Sequence, residues 1–211
     1  MGHIFKPGKK YTFSDYFDFN YPTKEVVEEF GYTYEFQEVR LPKSARQIPS
    51  LDTLRQMYLR KLPHISLTSE AAKREFYVAP FLLELLDYLP FEINVEYPVD
   101  AGENLNGNID YFVTSAQYFV IIEAKKGDME KGFTQLAVEL IALDKYLDPS
   151  PSPLYGAVTL GDVWRFGMLE RSTHVVKKDM NAYTLLSDLE ELASILIGIL
   201  ELTTQAGADV G

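Results

Sequence analysis

The 211-residue sequence contains no cysteine, which excludes disulfides and thiolate metal sites. Its three histidines, His3, His64 and His174, are scattered, so a zinc site is not expected and any metal would be held by carboxylates. Long apolar runs are missing as well. The N-terminal MGHIFKPGKK lacks the apolar core of a signal peptide, and the stretch Leu189 to Leu200 is interrupted by Glu190 and Glu191 and is too short to span a bilayer. A cytoplasmic location without a membrane partner is therefore expected. Positive charge is scarce: 20 basic against 31 acidic residues give a formal net charge of −11. That balance excludes a protein that coats nucleic acid through bulk electrostatics, so contact with nucleic acid would have to be local.

What is present, 46% hydrophobic residues over 211 positions, suffices for one sizeable core. Residues 1–65 read as an N-terminal extension without sustained periodicity, apart from a strand over Tyr32 to Leu41 and a short helix over Ser50 to Leu62. Residues 66–211 read as the main domain. A helix is expected from about Ser69 to Tyr88, kinked at Pro80, with an apolar stripe through Ala72, Ala79, Leu82 and Leu86 that also takes in Glu75. Ile93 to Val99, Ile109 to Thr114 and Tyr118 to Lys125 read as strands, the last two as an antiparallel hairpin. Phe133, Leu136, Leu140, Leu143 and Leu147 recur at helical spacing after Asp128. The proline-rich DPSPSPLYG ends that helix, and a second hairpin follows around Gly161 and Asp162. Trp164 and Phe166 share a strand face and are assigned to the core. A strand near Tyr183 and a helix from Asp188 to Leu202 complete a mixed α/β chain, a mixed sheet flanked by helices.

The chemistry lies in IIEAKK. Side chains alternate along a strand, so Glu123 and Lys125 share one face and Ala124 takes the other. With a turn centred between Ala116 and Gln117, Asp110 stands directly opposite Glu123; a one-residue slip would put it opposite Ile122. Two carboxylates at a cross-strand distance of about 5 Å repel, and a divalent cation relieves that repulsion by taking oxygens from both. Mg2+ (or Mn2+) suits one or two carboxylates plus the backbone carbonyl of Ala124, with substrate phosphate completing the shell. Lys125 would orient the attacking water or offset developing negative charge. A second feature is a basic island, Arg40, Lys43, Arg46, Arg55, Arg60 and Lys61 against Asp52 alone, the place where phosphate contacts are expected.

The ordered set of a helix with an acid, GNIDYFVT, VIIEAKK and a helix carrying KGFTQLAVE resembles the PD-(D/E)XK nuclease superfamily. Within it the set is most similar to the nuclease domains of type I restriction motor subunits and their stand-alone relatives. The resemblance spans roughly residues 67–170 and includes the strand pair YGAVTLGDVWRFGMLE. It implies a restriction-endonuclease-like core, hydrolysis of nucleic acid (DNA in the first instance), Asp110 and Glu123 as metal ligands, and Lys125 as the catalytic lysine. It further implies Gln135 as the motif glutamine and either Glu75 or Glu70 as the first-helix acid. Glu139 stands where the relatives often carry tyrosine. The alternative is a catalytically inactive nuclease-fold subunit that binds a protein or nucleic-acid partner. A nuclease that cuts both strands would by default be a homodimer.

Overall fold

The computed structural model describes residues 4–6, 8–46, 48, 51–115, 118–123 and 127–202, the side chains of residues 118 and 120–123 excepted. Two short helices, α1 (Phe13–Phe17) and α2 (Thr23–Glu29), precede β1 (Thr33–Gln37) and α3 (Asp52–Lys61). A helical segment follows in three parts: α4 (Glu70–Lys73), a π-helical turn (Arg74–Val78) and α5 (Ala79–Leu85). Then come β2 (Glu92–Asp100), β3 (Asn106–Thr114) and β4 (Tyr118–Glu123), the long helix α6 (Met129–Tyr146), β5 (Leu154–Thr159), β6 (Val163–Glu170), β7 (Val175–Asp179), β8 (Tyr183–Thr184) and α7 (Leu189–Leu200).

The strands form one mixed sheet in the order β1-β7-β6-β5-β4-β3-β2, with β8 beside β6. Pairing is parallel between β1 and β7 and between β4 and β5, and antiparallel elsewhere. The mixed sheet flanked by helices expected from the sequence is thus observed. The described part of the N-terminal segment joins the sheet and its packing: β1 is an edge strand, and α1 and α2 supply Phe13, Tyr16, Val26 and Val27 to one of its cores.

Each face of the sheet carries its own core. One gathers Tyr58 of α3, Phe81 and Leu85 of α5, Leu192 and Leu196 of α7, and Trp164 and Phe166 of β6. The other is built around α6, whose residues 132–143 are buried all round because strands press on one side and α1 and α2 on the other. Asp128 caps α6, its Oδ1 accepting from the backbone N–H groups of Glu130 and Lys131 at 3.1 and 3.0 Å. Close approach of α6 to the sheet depends on Gly167, where a β-carbon would lie 2.7 Å from the ring of Phe133.

Pro80 has no N–H to donate to the carbonyl of Phe76 one turn earlier, and the helix answers with the π turn immediately before it rather than with a break. The wider turn rotates what precedes it. Buried positions are Val78, Phe81, Leu82 and Leu85, whereas Glu75 and Leu86, placed in the stripe by a 3.6-residue period, are exposed.

On the opposite face the segment around Lys43 and Ser44 lies directly on α7: the Ser44 N–H donates to the carbonyl of Ser194 at 2.9 Å. A β-carbon at Gly198 would come within 2.7 Å of the backbone of Lys43 and Ser44. Alanine in a helix interior ordinarily gains about 1 kcal/mol over glycine. Here the neighbour is backbone and cannot yield as a side-chain tip would, so Gly198→Ala is expected to lower stability by about 1–3 kcal/mol, read as a fall in the urea midpoint at unchanged slope. A raised midpoint would show that the packing is looser than described.

Candidate active site

β4 is where the antiparallel meander β2-β3-β4 meets the parallel pair β4-β5. A parallel neighbour requires a crossover, and the next element named after β4 is the helix α6. Glu123 closes the strand, its backbone paired with Thr159 of β5. Its side chain lies outside the described residues, as do Ala124 and Lys125 entirely.

The surroundings of that strand end are well defined. Thr159 is fully buried; its hydroxyl donates to the carbonyl of Val163 at 3.0 Å and accepts from the N–H of Gly161 at 2.9 Å. Trp164 Nε1–H donates to the carbonyl of Gly161 at 3.1 Å, so the turn after β5 is locked from both sides. Gly161, at φ +96°, faces the π turn: a β-carbon there would sit 2.7 Å from the ring of Tyr77 and 3.3 Å from Cβ of Lys73. Burial, and secondarily the charge of Asp162, push the Tyr77 hydroxyl above its ordinary pKa. Arg74 in the same turn reaches Glu96 of β2 at 3.5 Å, and Tyr111 of β3 donates to the Arg74 carbonyl at 3.5 Å. The helix carrying Glu70 and Glu75 is thereby fastened to β2, β3 and the β5–β6 turn. Both of those acids are exposed, and neither makes an ion pair among the described residues.

The hairpin register differs by one residue from the expected one. Thr114 pairs with Tyr118 and Tyr111 with Ile121, where the ladder ends, so three residues rather than two separate the strands, and one further step in this register would set Asp110 opposite Ile122. In a regular ladder that offset would put residues 110 and 123 on opposite faces. The ladder is not regular here. Glu96, at φ +53°, interrupts β2, and the β2–β3 pairs run from Val95↔Tyr111 to Tyr97↔Ile109 without a pair between Glu96 and Asp110. Across this step the inward side changes: Tyr111 and Val113 belong to the core of α5 and α7, Ile109 to that of α6. Asp110, half-buried, therefore stands where the pleat reverses, and the alternation rule does not carry through it. Direct cross-strand opposition with Glu123 gives way to a one-residue diagonal.

Gln135, the motif glutamine implied by the resemblance, is buried and donates through Nε2 to Oε1 of Glu139 at 2.9 Å. Glu139 is itself fully buried. The basic island is drawn inward as well: Lys43 pairs with Glu191 at 2.7 Å, Arg46 with Glu201 at 2.7 Å, and Arg55 with Glu190 at 2.5 Å and Asp52 at 3.2 Å. Half of its cations thus neutralise the acidic residues of α7 and its C-terminal end, which leaves Arg40, Arg60 and Lys61 as its contribution to any phosphate contact. Missed in the sequence was Lys178, only 2% exposed, which meets Glu130 and, through it, Arg165. Its signal was present in the alternation Val176-Lys177-Lys178, which sets a lysine at an inward position of β7.

No protein-family model matches the chain, and no curated protein matches it. Among the described residues no helix is long and apolar enough to cross a membrane.

The Arg55 guanidinium, by its hydrogen bond first and its charge second, holds the Glu190 carboxyl below the usual carboxylate range. A carboxylate whose folded pKa is depressed contributes stability above its unfolded pKa and loses it as pH falls through the folded one. Both groups are solvated, which limits the contribution to less than about 1 kcal/mol. The stability difference between the natural protein and Glu190→Gln is expected to be full at neutral pH and to vanish in acid, as followed by thermal unfolding against pH.

Proposed function

We propose that the chain is a metal-dependent nuclease that hydrolyses phosphodiester bonds, of DNA in the first instance, at the C-terminal end of β4. The carrying observation is the order of elements around that end. A helix fastened to the sheet, an antiparallel β2-β3-β4 meander, the α6 crossover and a parallel β5 bring Asp110 and the backbone of Glu123 onto neighbouring strands, one residue out of register. In open α/β sheets ligands gather beyond the carboxyl ends of strands at such a change of direction.

The available donors are carboxylates and a main-chain carbonyl, all hard oxygens, which fit magnesium or manganese. Asp110 and Glu123 would hold the cation with the Ala124 carbonyl. Once bound, it would polarise the phosphodiester and acidify a water. Lys125 would orient the attacking water and offset the negative charge that grows on the phosphoryl oxygens. Half-burial of Asp110 limits competition from bulk solvent, and the locked β5–β6 turn fixes the strand end, so that little rearrangement accompanies the reaction.

A second reading is a nuclease-fold subunit that binds a partner without cutting. Engagement of Gln135 by Glu139 favours it, because the motif glutamine is then occupied inside the helix. Plasmid cleavage separates the two. In magnesium or manganese the natural protein is expected to cut, and Asp110→Asn and Lys125→Ala to lose at least about 100-fold in rate with unchanged thermal unfolding. Absence of cleavage in either metal, or cleavage indifferent to both substitutions, overturns the nuclease reading.

A further inference from the structure

Two cations and one carboxylate meet where β6, β7 and the first turn of α6 converge. The Lys178 side chain is 3% exposed. Its ammonium lies between the rings of Phe36 and Phe133, 5.4 and 5.2 Å from their centroids. Its carboxylate partner Glu130 is by contrast 68% exposed. Arg165 reaches that carboxylate at 3.5 Å, and its own Nε is buried with no hydrogen-bond partner among the described residues. A buried ammonium needs a counter-charge, and here the counter-charge is a solvent-exposed side chain. Two positive groups facing one carboxylate leave an excess of one positive charge, in a chain that is strongly acidic elsewhere.

Glu130, alone of the three, also lines a cleft of about 500 Å³ whose wall carries Lys24, Tyr34, Lys131 and a second carboxylate, Asp128. Tyr34 ties the two together: burial first, then the charge of Glu130, push its hydroxyl up to about 12, while Arg165 pulls it down. The backbone of Arg165 also lies near the C-terminal end of β4, with its side chain on the α6 face of the sheet, opposite to Trp164. Glu123 pairs with Thr159 and Thr159 with Trp164, the residue before Arg165. Two strand spacings, about 10 Å, therefore separate the backbones, the axial length of about three stacked nucleotides.

We propose that Lys178 and Arg165 form a subsite for a backbone phosphate of the nucleic-acid strand that rounds the end of β4, and that Glu130 occupies this subsite in the free protein as a built-in competitor. The nature of the ligand rests on the nuclease reading; the cation pair and its exposed plug do not. Binding of a short fluorescein-labelled single-stranded oligodeoxynucleotide, followed by anisotropy at low ionic strength in EDTA, tests the subsite without cleavage. Glu130→Gln is expected to tighten binding about tenfold, a gain equivalent to about 1.4 kcal/mol. Glu92→Gln on β2, at the other edge of the sheet, makes the same change in net charge and is expected to tighten it far less. Adding Arg165→Gln to Glu130→Gln should abolish the gain and lower the salt dependence by about 0.7 in log–log slope, one phosphate contact. Lys178→Met with Glu130→Gln keeps the apolar packing and should abolish it too, which guards against a misfolded single variant. Equal tightening by Glu92→Gln, no tightening by Glu130→Gln, indifference to Arg165→Gln, or no binding by any variant overturns the subsite. Metal-dependent plasmid cleavage alongside an overturned subsite leaves the nuclease reading standing. An intact Glu130 effect without any cleavage retires that reading and retains the subsite.

Discussion

The parallel pairing of β4 with β5 is the constraint on which the rest of the molecule depends. Two strands that run the same way cannot be joined by a tight turn, so the chain must climb back across a face of the sheet, and α6 is the path it takes. Because α6 lies against strands on one side, its other side would be bare. The short helices α1 and α2 cover it, and with that the helix is buried over twelve consecutive residues. The absence of a side chain at Gly167 lets Phe133 settle onto the sheet, and the same helix delivers Glu130 and Asp128 to the rim beside the end of β4.

The opposite face obeys a different logic. There α5 and α7 pack on Trp164 and Phe166, and basic residues of the long segment between β1 and α3, together with Arg55, are matched against the acids of α7. An excess of negative charge at one end of the chain is in this way balanced by the basic stretch near the other. The balancing is local and solvated, so it orders the surface more than it stabilises it.

Where a sequence signal is long and periodic, it carried through. α6, α7, the β5–β6 hairpin around Gly161 and Asp162, and the core assignment of Trp164 and Phe166 follow directly from spacing and turn residues. Short elements rich in tyrosine, phenylalanine and charge did not announce themselves, so α1, α2 and β7 went unread, and with them the reasons for the burial of Gln135, Glu139 and Lys178. The inward position expected for Glu75 failed because a 3.6-residue period was carried through a π turn. For the candidate site, adjacency of the strands holding Asp110 and Glu123 was legible. Their exact relation was not, because one extra turn residue moves the register and a left-handed residue at position 96 reverses the pleat, neither of which leaves a mark on hydrophobic alternation.

β1 precedes every other described strand in the chain, and its partner β7 emerges only after β2 to β6 have been made, although the two are parallel neighbours at one edge of the sheet. On the ribosome, therefore, the first strand has no ladder to join until residues 175–179 have emerged. Contacts of such long sequence separation form late and slowly, and a waiting strand edge is prone to adhere to other chains. Closure of this edge is a natural last step of assembly, and a chain halted before residue 175 would lack it.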